Sequence, residues 1–386
     1  MDSNNICAAE LDAAANLPVL TPDLFPLPVI IETIEVLYNG QFYIVRTRSK
    51  DGAEGIAVTN DKAAYLYPIL QQLVIPYFVN KDARDLEALI DGVFVVNSNY
   101  KLAGLALWCC IAWVEFSILD LLGQVTQKSV GALLGEVIRP EIPIYVASGR
   151  RDTTPEQEVE ILQRRMAETG ARAVKFKVGG RMSKNADSLL GRTEGLIRLS
   201  RKLLGAEITI HADGNGSYDP PRAIAIGKML EEINAYFYEE PCPFDHLEDT
   251  KAVADALRIP IAAGEQETSL RRFRWMIQND AIQIVQPDLH YNGGFIRTIR
   301  VARMAAAAGK PITLHISSGF CYLQMLHFAS ITPNSGKFQE FKTGIEKTGH
   351  FFNPSLKVKE GKVTVPTGPG LGLTDTAELL RGARVI

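Results

Sequence analysis

The amino-acid sequence predicts an α/β protein in which a closed parallel barrel follows an α+β region. Its 386 residues exceed the length of a typical single domain, so two domains or a barrel with additions are expected. From Ile142 onward, short apolar runs alternate with amphipathic segments, as in consecutive strand and helix units. Eight such runs occur, and a closed parallel barrel needs eight strands. The predicted strands are Ile142–Ala147, Ala173–Val178, Ile208–Ala212, Ala235–Tyr238, Ile259–Ala263, Ala281–Gln286, Pro311–His315 and Lys337–Phe341.

A β-hairpin and three helices are predicted before the barrel. The β-rich runs Ile30–Tyr38 and Gln41–Ser49 flank Asn39-Gly40, which is the strongest short hairpin signal in a sequence. Apolar residues then recur with helical spacing, which predicts three helices. These helices are predicted at Asp61–Phe78, Asp82–Phe94 and Leu102–Gln124.

The last of these helices contains the most apolar stretch of the chain, Leu102–Leu122. The stretch is long enough to raise the question of a membrane span. Glu115 and Asp120 interrupt its second half, and charged residues are rare in membrane-spanning helices. We therefore predict a buried helix of a globular domain.

The chain divides by prediction into a first domain at residues 1–140 and a barrel domain at residues 141–352. After Phe352, a β-like stretch at Lys362–Pro366 and a glycine-rich stretch at Gly368–Gly372 follow. We expect residues 353–386 to return to the first domain.

Composition narrows the class of partner. Apolar residues make up 46% of the chain, charged residues 22%, and the formal net charge is −3, as in ordinary globular proteins. This charge argues against nucleic acid or a membrane as the main partner and favours a small-molecule substrate. The five cysteines are scattered and form no CxxC motif, so we expect reduced thiols in a cytoplasmic protein.

Chemically active side chains recur where the predicted strands end. The steps from residue 213 to 239 and from 239 to 265 are 26 residues each, and the later steps to 288, 315 and 340 are 23, 27 and 25. One strand and helix unit of a barrel uses about that much chain, roughly 250 residues over eight units. These side chains should therefore meet at the carboxyl-terminal rim, where barrel active sites are built. They are Lys175, Lys177, Asp213, Glu239, Glu265, Asp288, His315 and Glu340.

Asp213, Glu239 and Glu265 follow three consecutive strands and offer hard oxygen ligands with negative charge. Such a set suits Mg²⁺, whereas zinc would favour histidine or cysteine. Each carboxylate alone could be a solvated loop residue, since Asp and Glu are mostly exposed. Three of them in the same position relative to their strands predict a Mg²⁺ site.

Lys175 and Lys177 point to the same side of one strand, since side chains two residues apart share a face. Packing helices would surround them on the outside, so we expect both in the cavity, although lysines can also extend to solvent at a strand end. Mutual repulsion and burial should lower the pKa of at least one lysine and suit it to act as a base.

His315 ends one predicted strand and Asp288 follows the neighbouring one, which places the two within hydrogen-bond reach. A carboxylate behind an imidazole selects its tautomer and raises its basicity. Glu340 is flanked by Gln339 and Phe341. Either burial keeps Glu340 protonated as a hydrogen-bond donor or it is an ordinary loop glutamate.

These residues together resemble the enolase superfamily, and within it the mandelate racemase subgroup of the mandelate racemase/muconate lactonizing enzyme family. The resemblance covers nearly the whole chain. It is carried by an ordered set of motifs: Cys110–Gly123, Ala132–Gly135, Lys175-Phe176-Lys177, Asp213-Gly214-Asn215, Glu239-Glu240-Pro241, Gly264-Glu265, Pro287-Asp288, His315 and Pro366–Gly372. Asp288 and His315 on consecutive strands, in place of a lysine after the sixth strand, favour this subgroup over the muconate lactonizing enzymes.

The resemblance implies a modified TIM barrel, (β/α)₇β, with an N-terminal α+β capping domain that the C-terminal tail completes. It implies that Asp213, Glu239 and Glu265 bind Mg²⁺, with Glu240 as a disfavoured alternative ligand. A homo-oligomer is also expected.

The resemblance further implies abstraction of the α-proton of a carboxylate substrate through an enediolate. Lys177 would be the base on one face, and His315 backed by Asp288 the base or acid on the other. Lys175 and Glu340 would stabilise the enediolate. Dehydration of an acid sugar to a 2-keto-3-deoxy acid is the favoured reaction. Racemisation or epimerisation of an α-hydroxy acid, and a non-catalytic binding protein, are the alternatives.

One feature departs from the family. The loop between the first two strands usually closes over the substrate in this family, yet Asn39-Gly40 leaves only a tight turn here. Substrate closure would then come from another segment, such as Val58–Ala64, or from a neighbouring subunit, or the site would stay more open.

Overall fold

The computed structural model describes residues 6–20 and 24–386, which fold around two sheets. The first five residues of the predicted first domain lie outside the described residues. One sheet has four antiparallel strands, and the other has nine, most of them parallel. The α/β fold class predicted from the sequence is confirmed.

The four-stranded sheet begins with β1 (Ile31–Tyr38), β2 (Tyr43–Ser49) and β3 (Glu54–Val58), and the last strand of the chain, Arg384–Val385, pairs with β1. The predicted hairpin forms, but four residues rather than two connect its strands. The side chain of Asn39 accepts hydrogen bonds from the backbone N–H groups of Gln41 and Phe42, at 2.9 and 2.7 Å, and so closes the longer turn.

Strand β3 was not among the predicted strands. It packs directly on the long buried helix of the first region, and a Cβ atom at Gly55 would lie 2.2 Å from the backbone oxygen of Ser117. A glycine is needed at this position because two backbones meet there.

The first region also contains helices, and the longest of them packs on this sheet. The apolar stretch that contains Glu115 and Asp120 forms one of these helices, and the side chains from Leu107 to Leu122 are buried inside the protein. The predicted buried helix is therefore confirmed. The helices are α1 (Ala8–Ala15), α2 (Ala63–Ile69), a π-helical turn (Leu70–Val74), α3 (Ile75–Phe78), a 3₁₀ turn (Ala83–Asp85), α4 (Leu86–Val95), a second 3₁₀ segment (Val96–Leu102), α5 (Leu105–Thr126) and α6 (Val130–Leu134).

The second sheet forms the barrel, in which consecutive parallel strands lie side by side and the last barrel strand pairs with the first. Its strands are β4 (Glu141–Ala147), β5 (Ala173–Lys177), β6 (Thr209–Asp213), β7 (Phe237–Glu239), β8 (Ile261–Ala263), β9 (Ile284–Val285) and β10 (Gln339–Lys342). The intervening helices are α7 (Pro155–Thr169), α8 (Arg192–Leu204), α9 (Pro220–Glu232), α10 (Leu247–Ala256), α11 (Leu270–Gln278), α12 (Phe295–Ala307) and α13 (Cys321–Ile331).

The predicted seventh strand, Pro311–His315, is not a regular strand. It fills the gap between β9 and β10 through isolated parallel bridges, which join Ile312 to Val285 and His315 to Asp288. Part of its backbone is held by side chains instead, because the N–H groups of Leu314 and Ile316 donate to the side chains of Gln339 and Glu340. The side chains of Gln339 and Glu340 thus take the place of the backbone carbonyl groups that a neighbouring strand would offer.

The end of the chain is divided between the two sheets. Strand β11 (Val358–Lys359) and strand β12 (Lys362–Thr364) form a hairpin that pairs with β4. The prediction that Lys362–Pro366 packs with the first domain is therefore wrong. Helix α14 (Thr376–Leu379) and strand β13 (Arg384–Val385) follow, and β13 joins the four-stranded sheet. The domain bounds at residues 140 and 353 stay predictions.

Candidate active site and metal centre

Parallel strand pairing places the predicted site residues at one level of the barrel. Lys177 of β5 is the register partner of Asp213 of β6, which in turn is the partner of Glu239 of β7. Asp288 and His315 are bridge partners on the far side of the ring. The structure therefore brings the predicted residues together at the carboxyl-terminal rim, and all of them except His315 are buried.

Asp213, Glu239 and Glu265 form an acidic triad in which each side chain offers an oxygen atom within 4.8 Å of the other two. It is the single group of this kind among the described residues. Oε2 of Glu265 is buried and has no hydrogen-bond partner within the described protein. Three converging carboxylates with an unpartnered oxygen fit a hard divalent cation such as Mg²⁺.

The carboxylates of the triad differ in their affinity for protons. Burial alone would raise the pKa of Asp213, but the adjacent ammonium groups of Lys177 and Lys175 lower it to about 2. Burial and the neighbouring charge of Asp213 raise the pKa of Glu239 to about 8. Of these two carboxylates, Asp213 therefore carries its negative charge more firmly.

Lys175 lies beneath the triad and is almost fully buried. Its Nζ atom lies 2.8 Å from Oε2 of Glu239 and 2.8 Å from Oε1 of Glu340. Burial alone would lower the pKa of Lys175, but these carboxylates hold it well above its ordinary value. Lys175 therefore does not have the lowered pKa that was expected of at least one of the two lysines, because attraction to several carboxylates exceeds any repulsion from Lys177.

Glu340 is a carboxylate and not the protonated donor considered above. Burial alone would raise its pKa, but Lys175 and Lys342 hold that pKa well below its ordinary value. Its Oε2 atom also accepts a hydrogen bond from the N–H group of Ile316 at 3.2 Å. Burial does not keep Glu340 protonated, because β5 and β10 place cations around this side chain.

Nδ1 of His315 lies 2.8 Å from Oδ2 of Asp288, and its Nε2 atom lies 3.6 Å from Oε2 of Glu265. The backbone N–H groups of His290 and Tyr291 donate to the other oxygen of Asp288. Burial alone would raise the pKa of Asp288, but the hydrogen bond and charge of His315 lower it. Asp288 is thus a fixed acceptor that orients the imidazole toward the triad.

Lys342 is a site residue that the sequence analysis missed. Its Nζ atom lies 2.9 Å from Nε2 of His315 and 3.2 Å from Oε2 of Glu340. The sequence pattern could have indicated Lys342, since side chains two residues apart share a face of a strand and Lys342 follows Glu340 by two residues.

The segment after β3 reaches the site, as considered for Val58–Ala64. Nδ2 of Asn60 lies 3.3 Å from Oγ of Ser317, two residues beyond His315. Nζ of Lys62 lies 4.9 Å from the ring centroid of Tyr291, and this ring lies 6.0 Å from the His315 ring. Residues of the first region therefore cover the histidine side of the site.

Glu240, the alternative metal ligand, lies outside the triad. Its carboxylate lies 3.3 Å from Nδ2 of Asn215. Burial and the nearby charge of Glu265 raise the pKa of Glu240 well above its ordinary value. Glu240 therefore contacts Asn215 and is not one of the three converging carboxylates.

Comparison with known proteins agrees with this geometry. Residues 157–378 match the family model described as Enolase C-terminal domain-like. The chain is 26% identical to the arabinonate dehydratase of Saccharolobus solfataricus over 310 residues, which span 79% of this chain and 80% of the relative. It is also 26% identical to the L-talarate/galactarate dehydratase of Salmonella typhimurium over 385 residues, or 96% of this chain and 92% of the relative.

A solved structure of a provisionally named racemase from Roseobacter denitrificans superposes with a TM-score of 0.85. The two proteins are 34% identical, and the match covers 92% of this chain and 100% of the other. The likeness thus extends over both sheets.

Proposed function

The chain belongs to the enolase C-terminal domain-like family, as a mandelate racemase-like member of the enolase superfamily, and from this we propose that it is a Mg²⁺-dependent acid-sugar dehydratase. The observation that carries the proposal is one arrangement of side chains. The acidic triad lies between Lys177, on the second barrel strand, and the Asp288–His315 pair, at the sixth and seventh positions of the ring. Two proton-transfer groups thus face one cation site from opposite sides.

The triad would hold Mg²⁺, which supplies positive charge to offset the negative charge that develops on a substrate carboxylate. Lys175 adds a buried ammonium group directly beneath the triad. Such fixed positive charge stabilises an enediolate intermediate strongly, because the site is shielded from water.

Lys177 or His315 removes the proton from the α-carbon, and the electron pair of the broken C–H bond forms the enediolate. His315 then donates a proton from Nε2 to the β-hydroxyl group: either the proton that it has just removed or, when Lys177 is the base, one that it already carries there. The hydroxyl group leaves as water, and the electron pair of the enediolate forms the carbon–carbon double bond as the C–O bond breaks. The resulting enol takes up a proton at the carbon that lost its hydroxyl and releases the proton of its own hydroxyl group, which gives a 2-keto-3-deoxy acid. Asp288 holds the Nδ1 side of the imidazole, which leaves Nε2 as the nitrogen that exchanges protons with the substrate.

A library of acid sugars, incubated with the protein and Mg²⁺, tests this proposal. Formation of a 2-keto acid, detected as its semicarbazone, is the expected result. In D₂O, deuterium at the α-carbon without any keto product would instead identify a racemase or epimerase. That second candidate has some support, since the relative from Roseobacter denitrificans carries a racemase name and proton-transfer groups lie on both faces.

A non-catalytic role is the remaining alternative from the sequence. The triad, both lysines and the Asp288–His315 pair are all present and in contact, which disfavours it. Mg²⁺ binding without keto product or isotope exchange on any acid sugar would support it. The cytoplasmic location and the homo-oligomeric state stay predictions, and light scattering measures the second.

A further inference from the structure

A cavity of about 400 Å³ lies beside the barrel mouth. It is bounded by the ends of β4 and β10 and by helix α7. Its volume falls within the range of small-molecule sites, roughly 300 to 1,000 Å³. Because Lys177 and Glu340 belong to its wall, the cavity adjoins the proposed active site.

The wall of this cavity is strongly cationic. Five basic residues line it, and Glu340 is the one acidic residue among its lining side chains. Lys175 and Lys342 already neutralise Glu340. The basic residues are Arg150, Arg164, Arg165, Lys177 and Lys342.

The cations differ in how far they are already paired. Arg150 pairs with Asp152 at 2.8 Å, and Arg165 pairs with Glu168 and Glu346. Arg164 has no ion pair or side-chain hydrogen bond with any residue that the structure describes. It can therefore turn toward an anion in the cavity without breaking an existing contact.

Lys342 connects the cavity with the chemistry. Its side chain is about two-thirds buried, lines the cavity and contacts His315 at 2.9 Å. Lys177 lines the same cavity and pairs with Asp213 of the triad. A substrate that binds the triad through one end would therefore extend its other end between Lys342 and Arg164.

We infer, on the basis of the proposed dehydratase function, that the substrate carries a second anionic group, which this cavity binds. A neutral hydroxymethyl end would accept hydrogen bonds from these cations without attraction between opposite charges. An anion gains that attraction and can bind an arginine through two parallel hydrogen bonds. The second anion is either the distal carboxylate of a dicarboxylic acid sugar or a phosphate ester.

Matched substrates test the inference. Rates of keto-acid formation are measured with Mg²⁺ for pairs of monocarboxylic and dicarboxylic acid sugars that share one hydroxyl configuration, such as galactonate with galactarate and gluconate with glucarate. A third arm uses the 6-phosphate of each monoacid. We expect kcat/KM for a doubly anionic member to exceed that of its matched monoacid by at least about 10-fold. Preference for the diacid or the phosphate identifies the source of the second anion.

The substitution Arg164→Gln supplies a test within the protein. It should lower the ratio of kcat/KM for the preferred diacid or phosphate to that for the monoacid by about 10-fold, mainly through KM. The matched control is Arg198→Gln on the neighbouring helix α8, an exposed arginine away from this cavity, which should keep the wild-type ratio.

The outcomes separate the inference from the function on which it rests. Preference of the wild-type protein for monoacids, or an equal effect of Arg164→Gln on all substrates, overturns the inference and leaves the dehydratase function intact. If no acid sugar in any arm yields a keto acid, the proposed function fails and the inference falls with it.

Discussion

The ammonium group of Lys342 lies 2.9 Å from Nε2 of His315. An ammonium group can only donate hydrogen bonds, so Nε2 accepts, and Nδ1 carries the proton that is donated to Asp288 at 2.8 Å. Asp288 and Lys342, on opposite sides of the imidazole, thus select the His315 tautomer that carries its proton on Nδ1. Lys342 is a positioning residue in this arrangement, because it acts through the imidazole.

Replacement of Lys342 by methionine should lower kcat on the preferred acid sugar by about 10- to 100-fold, as is typical when a supporting hydrogen bond to an active-site ligand is lost. The pH profile of kcat should also change, which a merely structural role would not cause. Lys337→Met, an exposed lysine near the start of the same strand, is the control and should behave as wild type. An unchanged pH profile in Lys342→Met would contradict the role.

Substitution of Asp288 by asparagine keeps the shape of the side chain but removes the charge that fixes the imidazole. We expect kcat to fall by about 10²- to 10⁴-fold, because an asparagine can present its amide N–H to Nδ1 and stabilise the wrong tautomer. The thermal midpoint should change little. Equal activity of Asp288→Asn and wild type would show that His315 is not the proton donor to the leaving hydroxyl.

Glu239 and Glu240 are adjacent in sequence, and only Glu239 belongs to the acidic triad. Glu239→Gln should therefore abolish the rise in melting temperature that Mg²⁺ causes in the wild-type protein, since a cation that binds the folded state stabilises it. Glu240→Gln is the matched control and should retain the rise. Isothermal titration calorimetry with Mg²⁺ gives the same comparison without any substrate. Loss of Mg²⁺ binding in Glu240→Gln but not in Glu239→Gln would instead identify Glu240 as the ligand.

His327 joins three parts of the chain, because its Nε2 atom donates to the backbone oxygen of Leu371 at 3.0 Å and its Nδ1 atom accepts from the N–H group of Gly131. Burial lowers the pKa of this imidazole to about 4. The unfolded chain binds the proton more readily, with a pKa near 6.5. The stability that His327 contributes is thus complete above pH 6.5 and is lost as the pH falls through 4.

From this shift, acidification from pH 7 to below 4 should cost the wild-type protein about 3 kcal/mol of unfolding free energy through His327 alone. His327→Leu should be less stable at pH 7 by about 1 to 3 kcal/mol, because the Leu371 carbonyl loses its partner. It should also lose less stability on acidification. Urea unfolding at several pH values measures both effects, with His246→Leu, an exposed histidine, as the control.

The sequence alone determined the fold class and the positions of the chemical groups. Apolar runs recur at the interval of a strand and helix unit, so the side chains that follow them must meet at one rim. This is why Asp213, Glu239 and Glu265 could be grouped before any coordinates, and why Lys175 and Lys177 were placed on one face. Local periodicity and spacing carry this information.

Only the tertiary structure decided how these groups affect one another. The pKa of Lys175 and that of Glu340 depend on which charges surround them in space, and those charges come from several strands. The contact of Lys342 with His315 likewise spans 27 residues of sequence. Electrostatic energies follow distance and burial, which are properties of the folded chain and not of its sequence order.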